Sequence, residues 1–210
     1  MDNSLFELGD SLSQEKMIEG INRIKPTWYV VPDCLNNKEE TIRRFEQWKK
    51  TAGNLQGLKI GVVQGSTIEE LIDCYKYMSE NADKIAIPFD SKAFEKCKKN
   101  NILKDWCEGR KNFIKILVER GLWNNNKPHH LLGCSLAEEF SEPLYHSISI
   151  ESIDTSNPVV AGCLEIKYGK KGLNHKPSIK LCELIDLKPN NNQIKCILYN
   201  VKAFKKLTED

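Results

Sequence analysis

Leu58-Lys59-Ile60-Gly61-Val62-Val63-Gln64-Gly65-Ser66-Thr67-Ile68-Glu69-Glu70-Leu71-Ile72 is the stretch that decides the fold class of this chain. Its first half is a short apolar, β-branched run ending on an amide and a glycine. Its second half opens a helical repeat that continues through Ile68, Leu71, Ile72, Tyr75 and Met78. Ser66 followed by Glu69 reads as a capping box at the helix start. A strand that turns directly into a helix is half of a βαβ unit.

The same alternation extends to both sides. Residues 28–32, 59–64, 84–88, 129–134 and 147–153 read as strands, and residues 38–52 place Ile42, Phe45, Trp48 and Ala52 on one helical face. Residues 89–127 leave room for two helices, near 91–98 and 109–121, before the loop marked by Asn124, Asn125, Asn126 and Pro128. Alternating strands and helices imply a mainly parallel sheet. Polar residues follow several of the strands: Asp33 after WYVVP, Gln64 after KIGVV and Asp154 after HSISIESI. Side chains at those positions converge on one face of a parallel barrel, where such enzymes keep their chemistry. The expected fold is therefore α/β, a TIM-type (β/α)8 barrel incomplete at its N-terminus, in a single partial-barrel domain over residues 1–210 whose tail, 160–210, is poorly assigned. Beyond residue 160 the pattern weakens to a Gly/Lys loop reaching Ser178, a strand over 179–187, an Asn-rich turn at 190–192 and the apolar stretch 194–204.

Composition narrows the function classes. The 210 residues carry 31 basic and 29 acidic side chains, net +2, so no global field draws a polyanion, and nucleic acid would be held by local patches. One such patch is Lys167, Lys170, Lys171, His175, Lys176 and Lys180, interrupted by Gly169 and Gly172; it reads either as a phosphate-contacting loop or as a solvated surface. Eight cysteines are scattered without a Cys-x-x-Cys pair, several of them inside apolar runs, and read as reduced thiols. No apolar stretch approaches the roughly 18 residues of a membrane span, and no signal-peptide pattern opens the chain, so a cytoplasmic protein is expected. A glycine-rich phosphate loop is absent, which removes the common kinase and phosphatase readings. Cys134 near His129 and His130 is too ordinary a combination to carry a hydrolase.

Asp33, between Pro32 and Asn36, reads by itself as a turn former or a site acid, and Gln64 as a strand cap or a binding amide. Asp154 precedes Thr155, Ser156 and Pro158 and reads as a helix N-cap or a catalytic carboxylate. Phe6 and Leu132 fit plain core as well as a binding surface.

Four segments in order resemble the tRNA-guanine transglycosylase superfamily, in particular its compact phage and bacterial branch that places 7-deazaguanines in DNA. Asp2-Asn3-Ser4-Leu5-Phe6-Glu7 is similar to the family's Asp-Ser-Gly-Gly-Phe segment, and Val62-Val63-Gln64-Gly65 to its Val-Val-Gln-Gly. Pro128-His129-His130-Leu131-Leu132-Gly133 is similar to Pro-x-x-Leu-Met-Gly, and Ile150-Glu151-Ser152-Ile153-Asp154 to the strand that ends in the nucleophilic aspartate. The resemblance implies base exchange at a nucleotide, with Asp154 as nucleophile at C1′ and Asp2 as the acid and base that handles the purine proton. It implies that Asp33 and Gln64 choose the base, that Gly65 lets it approach closely, that Phe6 and Leu132 sandwich it, and that Asn3 and Gly133 also line its pocket. The implied partners are DNA, or alternatively tRNA, and a 7-deazaguanine base such as the 7-cyano form, with Lys167, Lys170, Lys171 and Lys176 on the phosphates.

The family's zinc pattern is missing: Cys163, His175, Cys182 and Cys196 lie at spacings unlike it, so no zinc and no other cofactor is expected. Only five strands are legible where a barrel needs eight, with none before Asp2. Closure would fall to an upstream segment, a second polypeptide, a homodimer exchanging elements, or residues 179–204. A non-catalytic, base-binding subunit is the remaining alternative.

Overall fold

The computed structural model describes residues 1–3, 9–95, 102–173, 177, 179 and 181–209. The chain order is α1 (Gln14–Ile24), β1 (Trp28–Val30), α2 (Lys38–Ala52), β2 (Leu58–Val62), α3 (Ile68–Asn81), β3 (Lys84–Ile87), α4 (Ile102–Glu119), β4 (His129–Leu131), β5 (Ile150–Ile153), α5 (Asn157–Cys163) and α6 (Asn191–Glu209), with short 3₁₀ turns between. The five strands form one parallel sheet in the order β1-β2-β3-β4-β5.

That order corrects the expected barrel. An eight-stranded barrel closes only when its first and last strands bond each other, but β1 pairs with β2, β5 pairs with β4, and neither edge meets the other. The tail offers no closing strand among its described residues: Leu181–Leu184 is a 3₁₀ turn and residues 191–209 are helix. The fold is α/β with an open five-stranded sheet. Backbone at Met1 lies along the free edge of β1, its ammonium donating to Trp28 O at 2.7 Å and its carbonyl accepting from Val30 N at 2.9 Å.

Period-two alternation assigns the faces. Tyr29, Val31, Val63, Ile85, Ile87 and Leu131 join the large core built with α1 to α4. Val30, Val62 and Ala86, with Ile60 and Leu132 against them, form a small apolar cluster on the other face. The helices are held by side chains whose burial is worth about 1.5–3 kcal/mol each, among them Met17 and Ile21 of α1, Phe45 and Trp48 of α2, Leu71, Tyr75 and Met78 of α3, and Phe113 and Leu117 of α4.

Local signals shifted in detail. The capping box of α3 sits one residue later than expected: Thr67 accepts from Glu70 N at 3.2 Å, while the Glu70 carboxylate accepts from Ser66 N at 2.7 Å. Between β3 and β4 the described helix is α4 alone, preceded by a 3₁₀ turn at Lys92–Phe94. Seven described cysteines are free thiols, and Cys97 lies outside the described residues. Among the described residues, no helix is long and apolar enough to cross a membrane.

Candidate functional site

Because all five strands run the same way, the residues that follow them gather along one edge of the sheet, its C-terminal end, where ligands of open α/β sheets bind. Asp33, Gln64, Asp90, Leu132 with Gly133, and Asp154 occupy that edge in strand order.

At the β1 end a buried polar network surrounds Asp33, which is 2% exposed. Asn3 Nδ2 donates to its Oδ1 at 2.6 Å and Gln64 Nε2 to its Oδ2 at 2.7 Å. Gln64 is locked in turn: its Oε1 accepts from Asn36 N at 3.0 Å, and its own N–H donates to Cys74 Sγ at 3.3 Å. Asn36, in the left-handed region at φ 55°, accepts from Lys92 N at 2.8 Å and so ties the loops after β1, β2 and β3 together. The Asp33 backbone is fixed by Ser11, whose hydroxyl donates to Asp33 O at 2.9 Å, and by Arg44 Nη1 at 2.8 Å. Burial pushes the Asp33 carboxyl up to about 6; the bonds from Gln64 and Asn3 oppose this, and the neighbouring Asp2 charge adds to it. Asp33 is thus an acceptor poised close to neutrality, not a solvated turn former.

Asp2 is exposed beside this network, its Oδ1 accepting from Asn3 N at 2.8 Å. Asp154 stands at the other edge of the sheet, four strand spacings away, about 19 Å along a sheet with ~4.8 Å between strands. The fold brings Asp2, Asn3, Asp33 and Gln64 together and keeps Asp154 apart from them.

Asp154 has its own surroundings. Its Oδ1 accepts from Gly133 N at 2.9 Å and lies 3.2 Å from His130 Nε2, while His130 Nδ1 lies 2.9 Å from Ser152 Oγ. Its backbone is pinned to the β4 loop, its carbonyl accepting from Cys134 N at 2.8 Å. Partial desolvation raises its pKa, but the bonds from His130 and Gly133 and the charge of Arg110 outweigh that and hold the carboxyl below its ordinary value. Asp154 is not the N-cap of α5, a position held by Ser156.

Beneath this end Arg110 of α4 and Glu139, both with side chains 0% exposed, make a two-pronged ion pair at 2.7 and 2.6 Å. Arg110 also donates to Ile87 O and Leu132 O, the carbonyls that end β3 and follow β4, and Tyr145 OH donates to Glu139 at 2.9 Å.

Three expected contacts take other roles. Gly65 faces the start of α3, where a Cβ would meet Leu71 N at 2.8 Å, so its bareness serves strand–helix packing. Leu132 packs in the small apolar cluster. Gly133, at φ 61°, turns its N–H to Asp154. Phe6 and Lys176 lie outside the described residues.

The lysine loop is a tight turn. Gly169 and Gly172 exchange backbone bonds at 3.3 and 3.1 Å, placing Lys170 and Lys171 at its tip. Lys170 lines a cleft of about 450 Å³ together with His146, Phe140, Tyr199 and Lys206, and Lys167 Nζ sits 5.8 Å from the Tyr199 ring centroid. Sequence reasoning missed Tyr199 and Lys206, since the tail was unassigned, and it missed Ser152 and His130 as neighbours of Asp154. Only the pairing register of β4 with β5 could have revealed the latter. No group of three or more metal-ligating side chains occurs among the described residues. No protein-family model and no curated protein matches this chain.

Proposed function

We propose that this protein exchanges guanine in DNA for a 7-deazaguanine through a covalent aspartyl–sugar intermediate. The observation that carries the reading is the exposed carboxylate of Asp154, held by donors on one oxygen, on the same sheet edge as the buried acceptor Asp33 with its partner Gln64. One nucleotide does not span the four strand spacings between Asp154 and Asp33, so the flipped-out nucleotide would lie between two copies of the chain, its sugar at Asp154 of one and its base at Asp33 and Gln64 of the other. Asp154 attacks C1′ and the C1′–N9 bond breaks, while Asp2 of the second copy gives its proton to the departing guanine. The incoming base then returns a proton to Asp2, and its nitrogen displaces Asp154 from C1′. Lys170 and Lys171 at the hairpin tip, without an ion pair among the described residues, suit the flanking phosphates.

Asp154→Asn is expected to abolish release of labelled guanine from DNA and any covalent adduct, with an unchanged melting temperature. Undiminished exchange by that variant refutes the assignment. Release from tRNA in place of DNA would redirect the reading to the RNA branch. The separation of Asp2 from Asp154 favours one other reading, base binding without exchange. That reading expects a deazaguanine to bind the protein and Asp33→Asn to abolish binding, with no guanine released from either polymer.

A further inference from the structure

The reading of Asp154 as a nucleophile leaves open which of its oxygens attacks and what aims it. Strand β5 answers through an irregularity. His129 pairs with Ile150, but His130 pairs with Ser152, so Glu151 is an extra residue bulged out of the ladder. Without the bulge His130 would face Glu151. With it, Glu151 is turned away to Lys84 of β3 at 2.9 Å, and Ser152 takes its place opposite the imidazole. The bulge likewise sets the phase of the residues that follow, ending at Asp154.

We infer that Ser152 and His130 form a relay that aims Asp154, with His130 as a positioning residue, Oδ1 as the anchored oxygen and Oδ2 as the oxygen left to attack. In a neutral imidazole one nitrogen donates and the other accepts. The Ser152 hydroxyl, 2.9 Å from Nδ1, satisfies the accepting nitrogen and leaves the Nε2 proton directed at Asp154 Oδ1, 3.2 Å away. The Gly133 N–H reaches the same oxygen at 2.9 Å. Two donors converging on one oxygen fix the carboxylate plane and favour its ionised form, the form that attacks. The other charged group that reaches Asp154 is Arg110, already paired with Glu139; the neighbouring Cys134 thiol is buried and held neutral, its pKa raised by burial and by Asp154. α5, which follows, carries no charged side chain.

This inference rests on the nucleophile reading, and its test separates the two. His130→Leu removes the donor; His130→Gln places an amide N–H at the reach of Nε2; Ser152→Ala leaves the ring but frees its orientation. Guanine release is measured against pH, and the Asp154 carboxyl is titrated by ¹³C NMR in the same proteins without nucleic acid. The expected result for His130→Leu is a kcat lower by about 10- to 100-fold with KM unchanged, the loss of one hydrogen bond to a charged group. The acid limb of its profile and its Asp154 titration both move to higher pH. His130→Gln restores most of the rate and the titration, and Ser152→Ala moves the titration in the same direction as His130→Leu. An Asp154 titration unmoved by His130→Leu and Ser152→Ala, or a glutamine variant no better than leucine, overturns the relay. If the wild type releases no guanine yet the titration moves as described, the exchange reading falls and the anchoring of Asp154 stands.

Discussion

Gln64 and Asp33, each following one of two neighbouring parallel strands, meet in a buried 2.7 Å hydrogen bond, with the amide nitrogen turned to the carboxylate because its oxygen is already taken by Asn36 N–H. Asn3 makes the matching bond to the other carboxylate oxygen at 2.6 Å. Both partners are donors, so the network is built around an ionised or nearly ionised acid, yet the acid is removed from water. Burial prevails, and the carboxyl is pushed up to about 6.

A stability profile should register this conflict. The folded pKa lies above the unfolded value, so the native state holds its proton longer, and this contribution is complete below about pH 4 and lost as pH rises through about 6. A shift of this size corresponds to about 3 kcal/mol. Urea melts between pH 4 and 7 should show stability falling across that window, and the fall should vanish in Asp33→Asn. An Asp33→Asn protein with the same pH slope as wild type would assign the slope elsewhere.

The strands were legible because their apolar residues serve two faces: Val62 and Val63 go to different clusters, and both positions are hydrophobic. Gln64 and Asp33 stood out for the same reason, as polar residues directly after such runs. Closure was not legible. It depends on what the tail does, and α6 exposes Ile194, Leu198 and Tyr199 while burying Asn200. Its apolar positions therefore do not fall on one face, and the helix hides from a periodicity search. α1 escaped for a related reason, since only Met17 and Ile21 of its eleven residues are buried. The neighbours of Asp154 were hidden by the bulge at Glu151, because a one-residue register change cannot be read from a single strand.

The Arg110–Glu139 pair should be costly to break and cheap to replace. Both side chains are fully buried, so Arg110→Met leaves an unpaired carboxylate in the core and two carbonyls, Ile87 O and Leu132 O, without this donor. The expected loss is about 3–5 kcal/mol in urea unfolding. Adding Glu139→Leu to it should recover a large part, since the desolvated charge is then gone. A double variant as unstable as the single one would show that the carbonyl contacts, not the charge pair, hold this end of the sheet.

α6 is held to α5 at Gly162. A Cβ there would stand 2.5 Å from Ile197 Cα and 2.6 Å from its N, backbone atoms that cannot rotate aside. Gly162→Ala should therefore push α6 outward, costing about 1–3 kcal/mol as overpacking. Asn200 donates to Ile166 O at 2.8 Å and accepts from Tyr168 N at 2.9 Å, so the same displacement strains the approach to the lysine hairpin. Thermal unfolding measures the cost, and limited proteolysis near residues 164–173 reads the displacement. Wild-type resistance at both would place the tight helix contact elsewhere.

Charge at the hairpin tip gives the prediction most sensitive to nucleic acid. Lys170, Lys171 and Lys206 form no ion pair among the described residues, and Lys170 shares its cleft with Lys206, so positive groups gather there. A phosphate backbone laid across such a tip displaces counterions, and each neutralised phosphate steepens the dependence of affinity on salt by about 0.7–0.9 in log–log slope. Replacing both lysines with alanine should make the slope for DNA shallower by about 1.4–1.8, twice that value, and should weaken binding equally for all sequences. Tyr199→Ala tests the neighbouring ring separately: base stacking there would lower affinity for single strands at every salt concentration while leaving the slope alone. An unchanged slope in the double lysine variant would remove the hairpin from the nucleic-acid path.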